Sequence, residues 1–295
     1  MDRIIYIVNP TAGGGKTKKL IPMINSYMKD KGVDYEIVLT ERPGDAVHLA
    51  KKSLERGYNK IVAVGGDGTV NEVALGILKH GEGILGIIPS GTGNDLARTL
   101  EIPLNWKEAI QVVIGGINKN IDVGLVNDNI FLNIASIGFD SEVVKTTEKI
   151  KTKFKSGLTY VLGIFATLIN FKDIKIKLEI DGLTLDKDIF LIAVGNGKYY
   201  GGGVKILPMA DIEDGYFHVC LVNKISKLKL LLLLPTIING SHIKQKKYVE
   251  IFKATKIRVL TESKSYLNID GEIKHIERET LFTINKKGLS VLIRG

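Results

Sequence analysis

The apolar run Ile61-Val62-Ala63-Val64 passes directly into Gly65-Gly66-Asp67-Gly68-Thr69 and then into Val70-Asn71-Glu72-Val73-Ala74-Leu75, which reads as a helix. A buried strand, a glycine-rich turn and a helix N-terminus in that order leave few folds open. They build an anion site: the glycines let backbone N–H groups approach phosphate, and the helix dipole favours negative charge there. Asp67 within that turn adds repulsion against a bare phosphate. It becomes sensible with a divalent cation between carboxylate and phosphates, so the motif points to a metal–nucleotide site. Taken alone, the same residues are also open to a tight strand-to-helix turn with Asp67 as a cap.

The surrounding pattern repeats this alternation. Short apolar runs at 4–8, 35–40, 60–64 and 84–88 read as strands, and 16–31, 45–56, 70–79, 94–100 and 105–115 read as helices. That order predicts an α/β nucleotide-binding domain with a doubly wound, mainly parallel sheet. Sites in such sheets lie at the carboxyl ends of the strands. The glycine-rich segments 11–16, 65–69 and 90–94 each follow a strand end and are expected to share one crevice. After about Asn118 the runs at 130–135, 174–180, 190–194, 216–222, 256–260 and 281–284 alternate apolar and polar residues without helical crossovers. They predict a β-rich, antiparallel, sandwich-like C-terminal domain. The division is expected at 1–122 and 123–284, with 285–295 open to returning to the first domain.

Composition narrows the partners. A net charge of +9 over 295 residues points to nucleotides, a nucleic acid or an acidic membrane surface. Cys220 is the single cysteine, which excludes an intrachain disulfide and fits a reducing cytoplasm; its alternating surroundings make it a buried strand residue. The N-terminal run is too short and too polar at its flanks for a signal peptide. No segment reaches the ~18 uncharged apolar residues of a spanning helix: 158–171 is short, and Pro235 interrupts 230–238. A cytoplasmic, soluble protein is expected. The histidines show no paired spacing of the zinc-hydrolase kind.

Two common explanations of the glycine loops fail. Asn9-Pro10-Thr11-Ala12-Gly13-Gly14-Gly15-Lys16-Thr17 ends like a phosphate loop, but its required first glycine falls on Pro10. The G-x-G-x-x-G/A spacing fails at these loops: counting from Gly66 ends on Asn71, and from Gly91 on Leu96. The first loop can still bind phosphate through backbone N–H groups, with Lys16 and Lys18 adding charge. In Ser90-Gly91-Thr92-Gly93-Asn94-Asp95 the glycines suit close approach to a ligand, while Asn94 or Asp95 equally suits a helix cap.

The order Asn9-Pro10…Gly13, Gly65 to Thr69 with Asn71-Glu72, Pro89 to Asp95, then Asp214-Gly215 and Asp270-Gly271-Glu272 resembles the diacylglycerol kinase catalytic family, and most closely its soluble bacterial lipid-kinase branch. The resemblance covers essentially the whole chain. GGDGT alone is shared with NAD kinases; GGDGT followed by PSGTGND at this spacing is far more specific. The resemblance implies an ATP- and Mg²⁺-dependent kinase of a lipid hydroxyl, most simply diacylglycerol to phosphatidic acid, with lipid entering between the two domains. It implies nucleotide contacts from Asn9, Pro10, Thr11, Ala12, Gly13, Thr40, Gly66, Asp67, Gly68, Thr69, Val70, Asn71, Glu72, Thr92 and Glu272. Asp67, Asp95 and Asp122 would organise catalytic Mg²⁺, and Asp270 would act as general base toward the lipid hydroxyl. Asp211, Asp214 and the Tyr216 carbonyl would ligate a structural Mg²⁺. Read locally, Asp122 is a turn aspartate, and Asp214-Gly215 and Asp270-Gly271 are hairpin turns. A homodimer is a family-level expectation.

Basic residues adjoin apolar ones at two places. Lys145, Lys149, Lys151, Lys153 and Lys155 precede the stretch 158–165, and Lys244, Lys246 and Lys247 follow the leucine-rich run. They predict peripheral contact with the anionic inner membrane surface; solvated lysines beside core helices are the alternative. The other functional readings are a small-molecule kinase of the NAD kinase type and a non-catalytic nucleotide or nucleic-acid binder. Asp67 and Asp270 disfavour a polyanion groove, so no nucleic-acid partner is expected.

Overall fold

In this computed structural model, residues 3–151, 159–262 and 264–295 are described. Lys153, Lys155 and Leu158 of the first basic-apolar stretch lie outside them, as do the side chains of Lys149 and Lys151. The described chain divides into two compact units, Met1–Val123 with Gly201–Gly203 and Lys286–Gly295, and Gly124–Tyr200 with Val204–Asn285.

The first unit alternates β1 (Ile4–Val8), α1 (Leu20–Lys31), β2 (Tyr35–Leu39), α2 (Asp45–Glu55), β3 (Lys60–Gly65), α3 (Asp67–His80) and β4 (Ile84–Pro89). Short α4 (Asp95–Thr99) and α5 (Trp106–Gly115) follow. β1 pairs in parallel with both β2 and β3, β3 pairs in parallel with β4, and Ser290 and Val291 near the chain's end pair in parallel with Ile84 and Leu85. Every residue of β1 and β3 is buried, as the unbroken apolar runs require for strands covered on both faces. The expected parallel α/β architecture is therefore present.

Two local readings change. Residues 16–19 do not open a regular helix: Gly13, Gly14 and Gly15 take φ of 59°, 67° and 87°, so the chain makes a left-handed glycine turn before α1 begins at Leu20. Only glycine adopts three such residues without side-chain strain. Asp67 is not in a loop either. Gly66 is extended, and Asp67 is the first residue of α3, where the helix dipole favours its charge.

The second unit is antiparallel. After β5 (Ile117–Val126), which crosses the division, come β6 (Asn129–Phe131), β7 (Ile134–Gly138), α6 (Phe139–Lys151), α7 (Thr159–Asn170), β8 (Ile174–Ile180), β9 (Leu183–Gly195), β10 (Phe217–Asn223) and α8 (Lys227–Ile238). β11 (Val249–Ala254), β12 (Lys256–Thr261), β13 (Ser265–Ile269), β14 (Glu272–Ile276) and the long β15 (Glu279–Ile293) complete it. β9 pairs antiparallel with β7, β8 and β10; β12 bridges β8 and β15; β13 joins β7 to β14. Strand alternation separates two cores. Ile192, Val194, Val219 and Leu221 face a sandwich interior with Phe131, Phe217 and Phe282, while Leu191, Ala193, Cys220 and Val222 face α6 and α8 through Phe139, Val143 and Leu230. The expected β-rich sandwich is present, with helices on one outer face. Cys220 is the buried strand residue it was expected to be, and burial pushes its thiol up to about 12.

The helix layer of the first unit depends on one close approach. A Cβ at Gly76 in α3 would stand 2.5 Å from the Val47 carbonyl oxygen and 2.6 Å from the Ala50 Cβ of α2. Gly76→Ala gains about 1 kcal/mol of helix propensity, but the overpacking costs about 1–3 kcal/mol. The substitution is expected to lower the thermal midpoint; a raised midpoint would show that α2 yields freely.

Candidate active site

The three glycine segments meet. A Cβ at Gly91 would collide with the Gly66 Cα, and one at Gly13 with the Ser90 carbonyl oxygen, so these loops touch through bare backbone. Thr17 Oγ1 and Ser90 Oγ lie 2.7 Å apart, and Ser90 N–H donates to the Gly65 carbonyl at 2.8 Å. Asn9 ties the first loop to the second: Nδ2 donates to Thr69 Oγ1 at 3.2 Å, while Oδ1 accepts the Thr11 N–H and hydroxyl. Asn94, at φ 53°, closes the third loop by accepting the Gly91 N–H and donating to the Gly91 carbonyl.

A cleft of about 200 Å³ opens beside them. It is lined by Asn9, Thr11, Thr40, Gly68, Thr69 and Glu72, together with Glu41, Arg42 and Pro43. The last three escaped the sequence reading; the signal for them was their place just beyond the carboxyl end of β2. Glu72 takes the Gly44 and Ala46 N–H groups at 2.9 and 3.1 Å, so its carboxylate pins the loop leading into α2. Of the other expected nucleotide residues, Pro10, Ala12 and Gly13 stand in the first loop, Val70 is on the buried face of α3, Asn71 is half-buried, and Thr92 is exposed at the third loop's tip.

Asp67 and Asp95 come together. Asp67 Oδ1 accepts the Asp95 N–H at 2.7 Å. Its Oδ2 would lie 2.6 Å from a Cβ at Gly93, and Asp95 Oδ2 3.3 Å from the same point, so both carboxylates face the space over that glycine. Asp95 also accepts the Gly202 and Gly203 N–H groups at 3.0 and 2.7 Å. Burial raises the Asp95 carboxyl above its usual range; the Asp67 charge adds to this, and the glycine N–H groups oppose it. Two hard carboxylates that repel each other over a space with no side chain fit a divalent cation. Asp122 is fully buried in β5, with Oδ1 on the Lys287 N–H at 2.7 Å.

The second unit holds the remaining candidates. Asp270, at φ 47°, lies in the turn between β13 and β14. Its carboxylate accepts the Leu132, Asn133 and Ile134 N–H groups at 2.7, 3.1 and 2.8 Å. These bonds fall where the run expected as one strand at 130–135 breaks into β6 and β7. Glu272 begins β14 with its side chain exposed. Asp214 Oδ2 accepts from His218 Nε2 and Lys253 Nζ, both at 3.0 Å, and Oδ1 accepts the Tyr216 N–H. Burial alone would raise the Asp214 carboxyl; these donors outweigh it and hold it low. A divalent ion at this loop competes with Lys253 for Asp214. Asp211 Oδ1 accepts the Glu213 N–H.

One support of the Asp270 turn escaped the sequence reading. Asn268 Oδ1 accepts the Gly271 N–H at 2.9 Å, and Asn268 Nδ2 donates to Asp140 Oδ2 at 3.2 Å. Asp140 is buried, takes the Ser136 hydroxyl on the same oxygen, and has no hydrogen-bond partner for Oδ1 among the described residues. Its only sequence signal was an acidic residue directly after the buried run of β7. Burial raises its carboxyl, against the Ser136 and Asn268 donors. A raised folded-state value means the fold keeps the proton that the unfolded chain loses near pH 4. Stability from this group therefore falls as pH rises from about 4 through the raised folded value. In paired urea melts, the stability of Asp140→Asn minus that of the parent protein is expected to grow from pH 4 to pH 8; a pH-independent difference counts against a protonated Asp140.

Comparison with known proteins agrees with this architecture. Residues 3–126 match the diacylglycerol kinase catalytic domain, and residues 133–291 match the YegS C-terminal NAD kinase beta sandwich-like domain. A diacylglycerol kinase of Staphylococcus carnosus is 33% identical over 92% of this chain and 88% of its own length; that of Staphylococcus saprophyticus is 35% identical over the same shares. A crystal structure from Bacillus anthracis superposes with a TM-score of 0.81 at 26% identity, covering 99% of this chain and 95% of that one. Both halves of the chain and relatives matched over most of its length lead to one conclusion: the chain belongs to the diacylglycerol kinase family.

Proposed function

We propose that this protein is an ATP- and Mg²⁺-dependent lipid kinase that phosphorylates a lipid hydroxyl, most simply diacylglycerol to give phosphatidic acid. The observation that carries the reading is the convergence of Asp67 and Asp95 over Gly93, beside three loops that touch through backbone alone. Such a place suits a triphosphate with its cation. When bound, the divalent cation neutralises charge on the phosphates.

In this reading the chain's own groups position and orient. The Gly13 N–H of the first loop and the N–H groups of the first turn of α3 receive phosphate, because the Asn9, Thr11 and Ala12 N–H groups are taken within the fold and Pro10 has none. The remaining residues from Asn9 to Gly13 and from Gly66 to Glu72 line the nucleotide, with Thr40, Thr92 and Glu272 as further contacts. Asp67 uses Oδ1 to hold the Asp95 N–H, which leaves Oδ2 facing Gly93. Asp95 is fixed in turn by the Gly202 and Gly203 N–H groups, and Asp122 anchors β5 to Lys287. Asp270 takes the proton from the lipid hydroxyl as its oxygen attacks the γ-phosphorus of ATP, while the bond from that phosphorus to the bridging oxygen breaks and ADP leaves. Three backbone N–H groups orient its carboxylate, and it must accept that proton while keeping them.

The test is ATP phosphotransfer across diacylglycerol, a sphingoid base, a polyprenol and NAD. Turnover of NAD alone would replace the lipid reading by the small-molecule one. Asp67→Asn keeps an acceptor for the Asp95 N–H but removes the charge, and is expected to lower kcat by about a hundredfold or more, with Mg²⁺ dependence displaced to higher concentration. Asp270→Asn is expected to abolish turnover while leaving nucleotide affinity largely intact. A near-normal rate would end its assignment as base, and a lost rate with a collapsed thermal midpoint would assign it to holding Leu132 to Ile134.

A further inference from the structure

The four most exposed large apolar side chains among the described residues are Leu228, Ile169, Leu232 and Ile238, at 72%, 71%, 69% and 64%. They are not scattered. Leu228, Leu232 and Ile238 lie on α8, and Lys227 Nζ donates to the Ile169 carbonyl, which brings the end of α7 against the start of α8. The helix is two-faced. Leu230 is 3% exposed, and Leu231, Leu233 and Ile237 pack with it on the unit's helix-side core. Leu228 and Leu232, one turn apart, stand on the opposite side with Pro235. A lone exposed leucine needs no explanation, but the most exposed ones gathered on one helix do.

The segment that carries this stripe is basic. Residues 226–248 contain five lysines and no aspartate or glutamate. Lys229 and Lys247 both reach the Tyr248 ring, at 5.7 and 5.6 Å from its centroid, so the basic segment after α8 folds back beside its first turn. Beside that turn a hollow of about 390 Å³ adds Lys172, Lys175, Lys224 and Lys227, against Asp173 and Asp188. Flexible lysines flanking an outward stripe of leucine and isoleucine match a negatively charged, fluid apolar boundary.

We propose that the outer face of α8, with Ile169 and the flanking lysines, is the surface by which this protein docks on an anionic phospholipid bilayer. Docking is peripheral: no helix among the described residues is long and apolar enough to cross a membrane. The inference builds on the lipid-kinase reading, whose acceptor resides in a bilayer, but it concerns residues outside the nucleotide site.

Co-sedimentation without nucleotide tests it, on phosphatidylcholine vesicles with and without phosphatidylglycerol. The parent protein is expected to bind the anionic vesicles, Leu228→Glu/Leu232→Glu to bind them about tenfold more weakly or worse at an unchanged thermal midpoint, and Lys246→Glu/Lys247→Glu to lose the preference for phosphatidylglycerol. Equal binding by the leucine variant, no binding by the parent protein, or a concentration-dependent dimer that the leucine variant abolishes would each overturn the proposal. Phosphorylation of a dispersed short-chain diacylglycerol separates the two readings: the leucine variant is expected to match the parent there and to fail only on vesicle-borne substrate. If neither turns over the dispersed lipid while vesicle binding behaves as stated, the kinase reading fails and the docking surface stands.

Discussion

The contact between the backbones of Gly66 and Gly91 governs the candidate site of the first unit. β3 and β4 are adjacent parallel strands, so their carboxyl ends leave the sheet side by side. Any side chain at Gly91 would collide with the Gly66 Cα, and the two loops would separate. With both positions bare, Asp67 at the start of α3 reaches the N–H of Asp95 at the start of α4. One carboxylate then serves two purposes: it caps a helix of the neighbouring loop, and it presents its second oxygen beside Asp95. Burial raises the Asp95 carboxyl, and the repulsion from Asp67 adds to it; a divalent cation, as in the proposed function, would relieve both.

The second unit solves a different problem. β7, β9 and β10 are covered on both faces, by the sandwich interior on one and by helices on the other. Buried polar side chains on such strands are hydrogen-bonded, as Ser136 is to Asp140 and His218 to Asp214. Asp270 satisfies three N–H groups that the break between β6 and β7 would otherwise leave unpaired, which is costly for buried backbone. Asn268 couples that turn to buried Asp140. The carboxylate proposed as base is thus also a structural anchor, which gives it a fixed orientation at the expense of free lone pairs.

Much of this was legible in the residue order. Continuous apolar runs identified the parallel strands and alternating runs the antiparallel ones, because burial on two faces or one dictates those patterns. The loop motifs carried the family resemblance and most residues of the small cleft. Other features were not legible. The split of 130–135 into β6 and β7 depends on Asp270, more than a hundred residues away. The left-handed turn at Gly13 to Gly15 displaced the start of α1. Asp140 and Asn268 carry no local motif, since the bond between them joins positions 128 apart in the chain.

The leucine-rich run at α8 shows the same division at the surface. The sequence alone determined that it is apolar, broken by Pro235 and followed by lysines. Tertiary structure decided which of its side chains are covered: Leu230 meets a core assembled from β7, β9 and β10, and Leu228 and Leu232 stay largely exposed. At Gly65 to Thr69, likewise, the residues by themselves determined a glycine-rich strand-to-helix turn. That Asp67 heads the helix and faces Asp95 was decided by the packing of β3 against β4, because hydrogen bonding between parallel strands fixes which loop ends meet while local propensity fixes only that each loop exists.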